Sequence, residues 1–551
     1  MAGMLSFFQK CRSCISQRTI VYVVCLLAFF IIVFGPLLGL FLDLIKTLLS
    51  GSGKITLSLL FSERKIVLLG ESVGLALAVS IAGIGVGIAI ATLLWQTGKK
   101  ITYSILLLLL ALAPIPPYIY ALTWSTTLYA LNQFLASIGA ALVPSTGWVI
   151  SFWVQLMALL PLAIFLSYIG LASVDKTLVE AARTIRSDGR VLREIILPLA
   201  APSLLVACGF LFLISITDYS VPSLFGSDTY ALDIFAQFSA SNSPSATFIS
   251  AIPLLIVTIA VLILCRSGIR KLAQTPNWMV GSWDTPPEFP TSFQSIQKGA
   301  FALLAVQMMV IFFGLVFSVG SWNKFVSTVL FSVNQLQYSC LVVIAVVLIT
   351  IPFSLLVAHE LMNQNARSSL WWLIILIPIA IPSPLIGIGI ISFWNIPTLS
   401  FLYGTSLMPI FASVSRFAPY AVIILFVQYR FIDPVLFDAV KVFSRDIIDE
   451  WFEVKIPLLA PGLLIASGVV AALTLGELGA TIVVVPPGHE TLTIKIYNYL
   501  HYGASAEVTG LCLIMAIVTF IIGLCAVSSI LWWRRRGILN QAVPRIGDLN
   551  E

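Results

Sequence analysis

Long apolar runs separated by short polar segments follow one another along the whole chain. A helix needs about 20 mostly apolar residues to cross a bilayer, and the runs have about that length. The pattern therefore predicts an all-α polytopic membrane protein with about twelve transmembrane helices. The predicted spans are residues 20–42, 72–95, 101–124, 148–171, 201–218, 248–265, 299–320, 338–358, 369–393, 408–428, 460–477 and 509–533.

One arrangement of residues occurs twice, in two stretches that begin at Pro161 and Pro419. In each copy an apolar run leads into a short charged segment, and a second apolar run with two prolines near its start follows. A register that holds over this length indicates a duplication. The other matched pairs are Glu180 and Asp438, Pro198 and Pro457, Pro202 and Pro461, and Asp218 and Glu477.

The duplication divides the chain into two halves of six predicted spans each. Because six is an even number, both halves begin on the same side of the membrane, and a pseudo-twofold axis along the membrane normal relates them as parallel repeats. A proline-rich linker, residues 266–298, joins the halves. We predict a first six-helix half over residues 1–285 and a second over residues 286–551.

The charged segment of each copy is predicted to form a helix, a turn and a second helix. In the first copy Asp175 is placed to cap a helix, and an apolar stripe follows at Leu178, Ala181, Ala182 and Ile185. The second copy repeats this plan 258 residues later. The two alanines in the middle of this stripe allow another surface to approach closely.

These residues resemble the cytoplasmic loop of the permease subunits of binding-protein-dependent ABC importers, which carries Glu-Ala-Ala, a glycine and then Ile-x-Leu-Pro. The first copy matches well, and the second matches loosely. At the position of the family's glycine, the first loop has Arg186, with Gly189 three residues later. The second loop has Ser444 at that position. The residues that match or stand in for the motif are Glu180, Ala181, Ala182, Gly189 and Pro198 in the first loop, and Asp438, Ala439, Val440, Ser444 and Pro457 in the second.

The resemblance implies the partners and the location of the protein. In the family the two loops dock on two copies of an ATP-hydrolysing subunit, which binds ATP and Mg²⁺, and an external solute-binding protein delivers the cargo. The permease itself binds no cofactor, lies in the bacterial-type inner membrane and works by alternating access. Fusion of two halves in one chain resembles the ferric-iron and thiamine branch of the family.

Composition and charge agree with a membrane protein. The chain is 59% hydrophobic and 10% charged, whereas soluble globular proteins are about 25% charged. Most of the Lys and Arg residues fall in segments on one side of the predicted spans, which makes that side cytoplasmic. Both termini and both charged loops are therefore predicted to be cytoplasmic, and no nucleic-acid-binding patch is evident.

Polar and proline residues within or near the spans suggest a translocation path. Prolines free backbone carbonyls, which are tolerated in a membrane where protein or water covers them. This leaves two readings for the prolines of the third and ninth spans, a packing kink or a pore lining. Carboxylates near span ends are either functional or interfacial, and Arg416 is either a helix cap or an ion-pair partner of Glu477. The candidate path residues are Asp218, Tyr219, Glu477, Arg416, Pro116 and Pro382.

The remaining motifs argue against catalysis by this chain. The sequence GSGK at residues 51–54 lacks the other positions of a phosphate-binding loop, and the three histidines show no metal-ligand spacing. An ion-driven secondary transporter is the rival class, but ionisable residues near mid-membrane are scarce. Because Asp218 and Glu477 are both acidic, we expect a cationic cargo, with ferric iron first and thiamine second on the family resemblance.

Overall fold

The computed structural model describes residues 17–50, 62–274, 286–363, 374–430, 450–502 and 505–535, together with 372, 432 and 435–437. These residues form helices, turns and connecting loops, with no β-strand among them. The predicted all-α class is therefore confirmed.

The helices of the first half carry the spans predicted from the sequence. The last of them continues to Gln274, nine residues beyond the predicted end at 265. They are α1 (Gln17–Leu49), α2 (Glu63–Leu94), α3 (Lys99–Leu112), α4 (Pro117–Ser137), α5 (Trp148–Ala172), α6 (Lys176–Arg183), α7 (Asp188–Val191), α8 (Leu197–Thr217), α9 (Ser220–Leu224), α10 (Tyr230–Ser241) and α11 (Pro244–Gln274).

The part of the chain that the sequence assigned to the second half carries nine further described α-helices. Its first helix begins at Thr291, so helices occupy both ends of the segment that the sequence assigned to a linker. The helices are α12 (Thr291–Ser318), α13 (Trp322–Leu330), α14 (Val333–Asn363), α15 (Ser383–Trp394), α16 (Leu407–Arg430), α17 (Ile456–Leu475), α18 (Thr481–Val484), α19 (Leu492–Tyr502) and α20 (Ser505–Arg535).

Ten described segments are long and apolar enough to cross a membrane, and two bent helix pairs raise the number to twelve if each pair is one span. All twelve correspond to predicted segments. The bends fall at the proline clusters of the third and ninth spans, where α3 and α4 meet at 94° and Ile374–Ala380 meets α15 at 112°. Proline lacks an N–H and fixes φ, so it starts a new helix more easily than it continues one.

The fifth and eleventh spans share a second irregularity. A π-helical turn, Leu192–Ile196, precedes α8, and another, Glu450–Lys455, precedes α17. Each turn lies just before a proline that cannot donate to the preceding α-helical ladder, Pro198 or Pro457. The same sequence feature thus produces the same backbone feature in both halves.

The packing of the two halves is matched and interlocked. Helix α2 packs on α5 and α8, and α14 packs on α16 and α17. Across the halves, α1 packs on α15 and α12 packs on α4. The first of these contacts is backbone to backbone, because a Cβ on Gly389 would overlap the carbonyl oxygen of Pro36. The first helix of each half therefore packs against the other half.

Candidate functional site

A cavity of about 260 Å³ lies where the proline breaks of the third and ninth spans meet the ends of the fifth and eleventh spans. We call it the central cavity. Pro116 and Asp218 of the first half line it, as do Arg416 and Glu477 of the second. The duplicated elements thus bring their polar ends together at one place.

On the second-half side, Arg416 and Glu477 form an ion pair. Their Nη1 and Oε2 atoms are 2.7 Å apart, and the exposed fractions of the side chains are 24% and 4%. The backbone N–H of Ala480 also donates to Oε1 of Glu477, at 2.8 Å. Arg416 lies in the middle of α16, which excludes a role as a C-terminal cap. The carboxylate is fully engaged, and the guanidinium is the more accessible group.

On the first-half side, neutral donors hold Asp218. The side chain of Gln155 donates to Oδ2 at 3.1 Å, and the backbone N–H and the hydroxyl of Ser220 donate to Oδ1 at 2.9 and 2.6 Å. Ser215 orients Gln155 by donating to its Oε1 at 2.7 Å. Asp218 and Glu477 are therefore matched in position but differ in their partners, and the ion pair belongs to one half.

Aromatic rings form much of the remaining wall. Phe210 and Tyr420 meet edge to face with centroids 5.9 Å apart, and the Arg416 guanidinium lies 5.6 Å from the centre of the Phe417 ring. The buried hydroxyl of Tyr219 has no hydrogen-bond partner among the described residues. The cavity therefore offers a guanidinium, a carboxylate and aromatic surface to a guest molecule.

The halves touch directly at the cavity wall. A Cβ on Gly476 would come within 2.7 Å of Pro116, and one on Gly479 would overlap Ser383 of its own half and lie 3.1 Å from the Tyr219 ring. Both glycines flank Glu477 and face residues of the opposite half. Small residues are required here because Pro116 of the first half at Gly476, and Ser383 together with Tyr219 at Gly479, leave no room for a side chain.

The structure gathers most of the candidate path residues. Asp218, Tyr219, Glu477, Arg416 and Pro116 line the central cavity, and Pro382 immediately precedes the lining residue Ser383. Sequence reasoning missed Gln155. It is the one amide side chain in the fourth predicted span, which is a signal that could have marked it. Its partner could not be read from the chain.

The first charged loop has the predicted helix with its predicted cap. Asp175 accepts hydrogen bonds from the backbone N–H and the hydroxyl of Thr177, both at 2.8 Å. Both bonds lower the pKa of Asp175, and the bond from the hydroxyl has the larger effect. Within α6, Glu180 pairs with Lys176 at 3.4 Å. The helix is therefore defined by local interactions that the sequence encodes.

The apolar stripe of α6 faces outward. Leu178 is 53% exposed and Ala181 is exposed as well. Ile185, which was predicted on the same helix, lies in the turn just after α6 ends and is 84% exposed. Ala182 differs, because it is half-buried against the body of the protein. Val179, which is buried, anchors the helix from its other side. No described residue covers the exposed stripe, which is therefore an open apolar surface on a charged loop.

The other coupling-loop residues divide between the described and the undescribed parts. Gly189 has no positive φ; instead, a Cβ there would lie 3.0 Å from Pro290. Pro198 and Pro457 follow the π-helical turns. Asp438, Ala439, Val440 and Ser444 lie outside the described residues. Among the described residues, no three His, Cys, Asp or Glu side chains are grouped so as to hold a metal ion.

Comparison with known proteins gives a partial match. No protein-family model matches the chain. Over 75 residues the chain is 31% identical to PhnV of Salmonella typhimurium strain LT2, and equally to PhnV of Salmonella choleraesuis strain SC-B67. Those proteins are named, provisionally, as permease proteins of a 2-aminoethylphosphonate transport system. The match covers 13% of this chain and 28% of each relative, so the similarity is to one part of a transport permease.

Proposed function

We propose that this chain is the permease component of an ABC-type importer. The observation that carries the proposal is the exposed apolar stripe on α6, in a loop that precedes a span leading to the central cavity. Such a stripe in a charged loop fits docking of a separate protein. The partial match to a transport permease points the same way.

In this proposal ATP binding draws two ATP-hydrolysing subunits together, and each carries one charged loop with it. The fifth and eleventh spans continue from these loops to Asp218 and Glu477, so movement of a loop reaches the cavity wall. An external solute-binding protein delivers cargo to the other side of an inner membrane. The cavity then opens alternately to the two sides.

An ion-driven secondary transporter is the competing function. The buried carboxylates of the central cavity give that class more support than the sequence did, because ionisable groups inside a membrane protein often carry coupling ions. The exposed stripe of α6 favours the ABC-type proposal, because a secondary transporter has no soluble motor to dock there.

The cavity chemistry favours a small organic cargo over bare ferric iron. A bare cation entering the cavity meets the Arg416 guanidinium, and because Glu477 is already paired and nearly inaccessible, Asp218 is the carboxylate that remains for it. Thiamine would gain aromatic contacts but also brings its positive charge towards Arg416. A zwitterion could place its anionic group at Arg416 and its ammonium group at Asp218. The relatives are named for such a molecule.

Purification of the intact chain tests the coupling role. We expect an ATPase subunit to copurify, and Ile185→Glu to abolish both its retention and transport, because a charge is added to the exposed stripe. Thr184→Glu, which adds the same charge beside the stripe, is the matched control. Normal retention of the ATPase by Ile185→Glu would refute docking at this surface.

Uptake measurements test the cargo. In cells that lack the protein, growth on ferric salts should be unchanged, and uptake of labelled 2-aminoethylphosphonate should fall. Restoring the wild-type chain should restore that uptake. Loss of ferric iron uptake instead would overturn the cargo proposal and return ferric iron to first place.

A further inference from the structure

The end of the linker between the halves lies against the first charged loop. We call residues 286–290 the linker end. Asp188, at the start of α7, accepts the backbone N–H of Glu288 at 2.6 Å and two hydrogen bonds from Arg183, at 2.8 and 3.1 Å. Arg183 also donates to the carbonyl oxygen of Pro286, at 3.4 Å. Both charged side chains are largely shielded, with 17% and 12% of their surfaces exposed.

Apolar contacts fasten the same segment. Phe289 is buried in a cluster with Val191 and Leu192 of the loop, and its ring meets that of Phe293 at 5.2 Å. Pro290 lies so close to Gly189 that a Cβ on that glycine would be 3.0 Å from it. The loop glycine thus allows close packing of the linker end, and a Cβ at this position would require Pro290 to shift by a few tenths of an ångström.

The linker end also has a continuous route to the central cavity. It runs directly into α12, the first helix of the second half. Gln307 of α12 accepts a hydrogen bond from Trp124 of α4 at 2.9 Å, in the interior. The first turn of α4 includes Tyr118, which lines the cavity. A chain of packed contacts therefore connects Asp188 in the first loop to the cavity wall, and movement of the loop can be passed along it.

We propose that the linker end is a strut that fixes the position of the first charged loop and couples its movement to α12, with Asp188 as the positioning residue. Three prolines in five residues restrict the backbone of this segment. The hydrogen bonds to an ionised carboxylate are of the stronger kind. The structural part stands by itself, whereas the coupling part rests on the proposed function.

Hydrogen exchange on the full-length protein in lipid nanodiscs tests the strut. Asp188→Ala should accelerate exchange of the Glu288 amide by about tenfold or more, because a charge-assisted bond is lost. Phe289→Ala, which leaves the carboxylate in place, should accelerate exchange in the same peptide. Arg186→Ala is the matched control, because Arg186 pairs with Glu194 in the same loop. Unchanged exchange in both test variants would overturn the strut.

Transport-coupled ATP hydrolysis separates the two parts of the proposal. Asp188→Ala should lower coupled hydrolysis several-fold, while Gly85→Ala, which lies outside the loop with nothing near its added Cβ, leaves it near the wild-type rate. If Asp188→Ala speeds exchange but leaves coupled hydrolysis normal, the linker end holds the loop in place but does not transmit its movement to α12. If the wild-type chain retains no ATPase, the proposed function fails, and the exchange result still decides whether the linker end holds the loop.

Discussion

Arg416 illustrates how a single residue can shape an apolar site. A charge within an apolar run is costly unless it is paired, and Glu477 supplies the pair at 2.7 Å. Because Glu477 is almost completely buried, the glutamate depends on the arginine more than the reverse. Arg416, a basic residue within an apolar span, is therefore part of the cavity wall.

Removal of one partner from this pair should destabilise the protein. We expect Arg416→Ala to cost about 3 kcal/mol, because it leaves a buried carboxylate uncompensated. Thermal unfolding in detergent, followed by size-exclusion chromatography, measures the effect. The double variant Arg416→Ala with Glu477→Ala should recover much of the stability but not transport. A single variant as stable as the wild type would contradict the buried-pair account.

Gly189 shows a limit of reading residues through a motif. A glycine near this position suggests a turn, yet its backbone lies outside the positive-φ region. Its contact with Pro290 explains it instead. The partner is 101 residues away, so only the folded chain reveals the reason for the glycine.

At the scale of the elements, the packing of the first helix of the first half against the second half depends on glycine. Helices α1 and α15 approach until an added Cβ on Gly389 would overlap the backbone of Pro36. A backbone atom cannot move aside as a flexible side chain can. The two halves should therefore separate or distort if that glycine is enlarged.

A matched pair of glycine substitutions tests this contact. Gly389→Ala should destabilise the protein by about 1–3 kcal/mol through overpacking. Gly85→Ala, on an exposed face of α2 with nothing near the added Cβ, should be neutral or stabilising by about 0.5–1 kcal/mol. Melting temperatures of the two variants in one detergent provide the comparison. A Gly389→Ala protein that melts no lower than Gly85→Ala would be evidence against the close packing.

At the scale of the whole molecule, the orientation in the membrane remains a prediction from the distribution of basic residues. It places the first charged loop in the cytoplasm and the loop between α4 and α5 outside. Both loops have exposed positions suitable for labelling, Ser187 and Ala141. The orientation can therefore be measured at two sites.

Cysteine labelling of intact cells measures this orientation. In a background without the eight native cysteines, Ser187→Cys should resist a membrane-impermeant thiol reagent and Ala141→Cys should react. Permeabilised cells should label at both positions. Reaction of Ser187→Cys in intact cells at the rate of Ala141→Cys would reverse the orientation.

Much of the architecture could be read from the sequence because its signals are local or periodic. Apolar runs of bilayer length mark the twelve segments, prolines mark the two broken spans, and Asp175 marks the start of α6. The duplication places Asp218 and Glu477 at equivalent positions. Each of these inferences needs only neighbouring residues or a fixed offset along the chain.

The tertiary structure alone decided which distant residues meet. It paired Arg416 with Glu477 and Gln155 with Asp218, and it left the Arg416 guanidinium more exposed than the Glu477 carboxylate. The expectation of a cationic cargo rested on the signs of two carboxylates without their partners. Residue types set which charges are present, but the packing of distant helices sets which of them remain open to a guest.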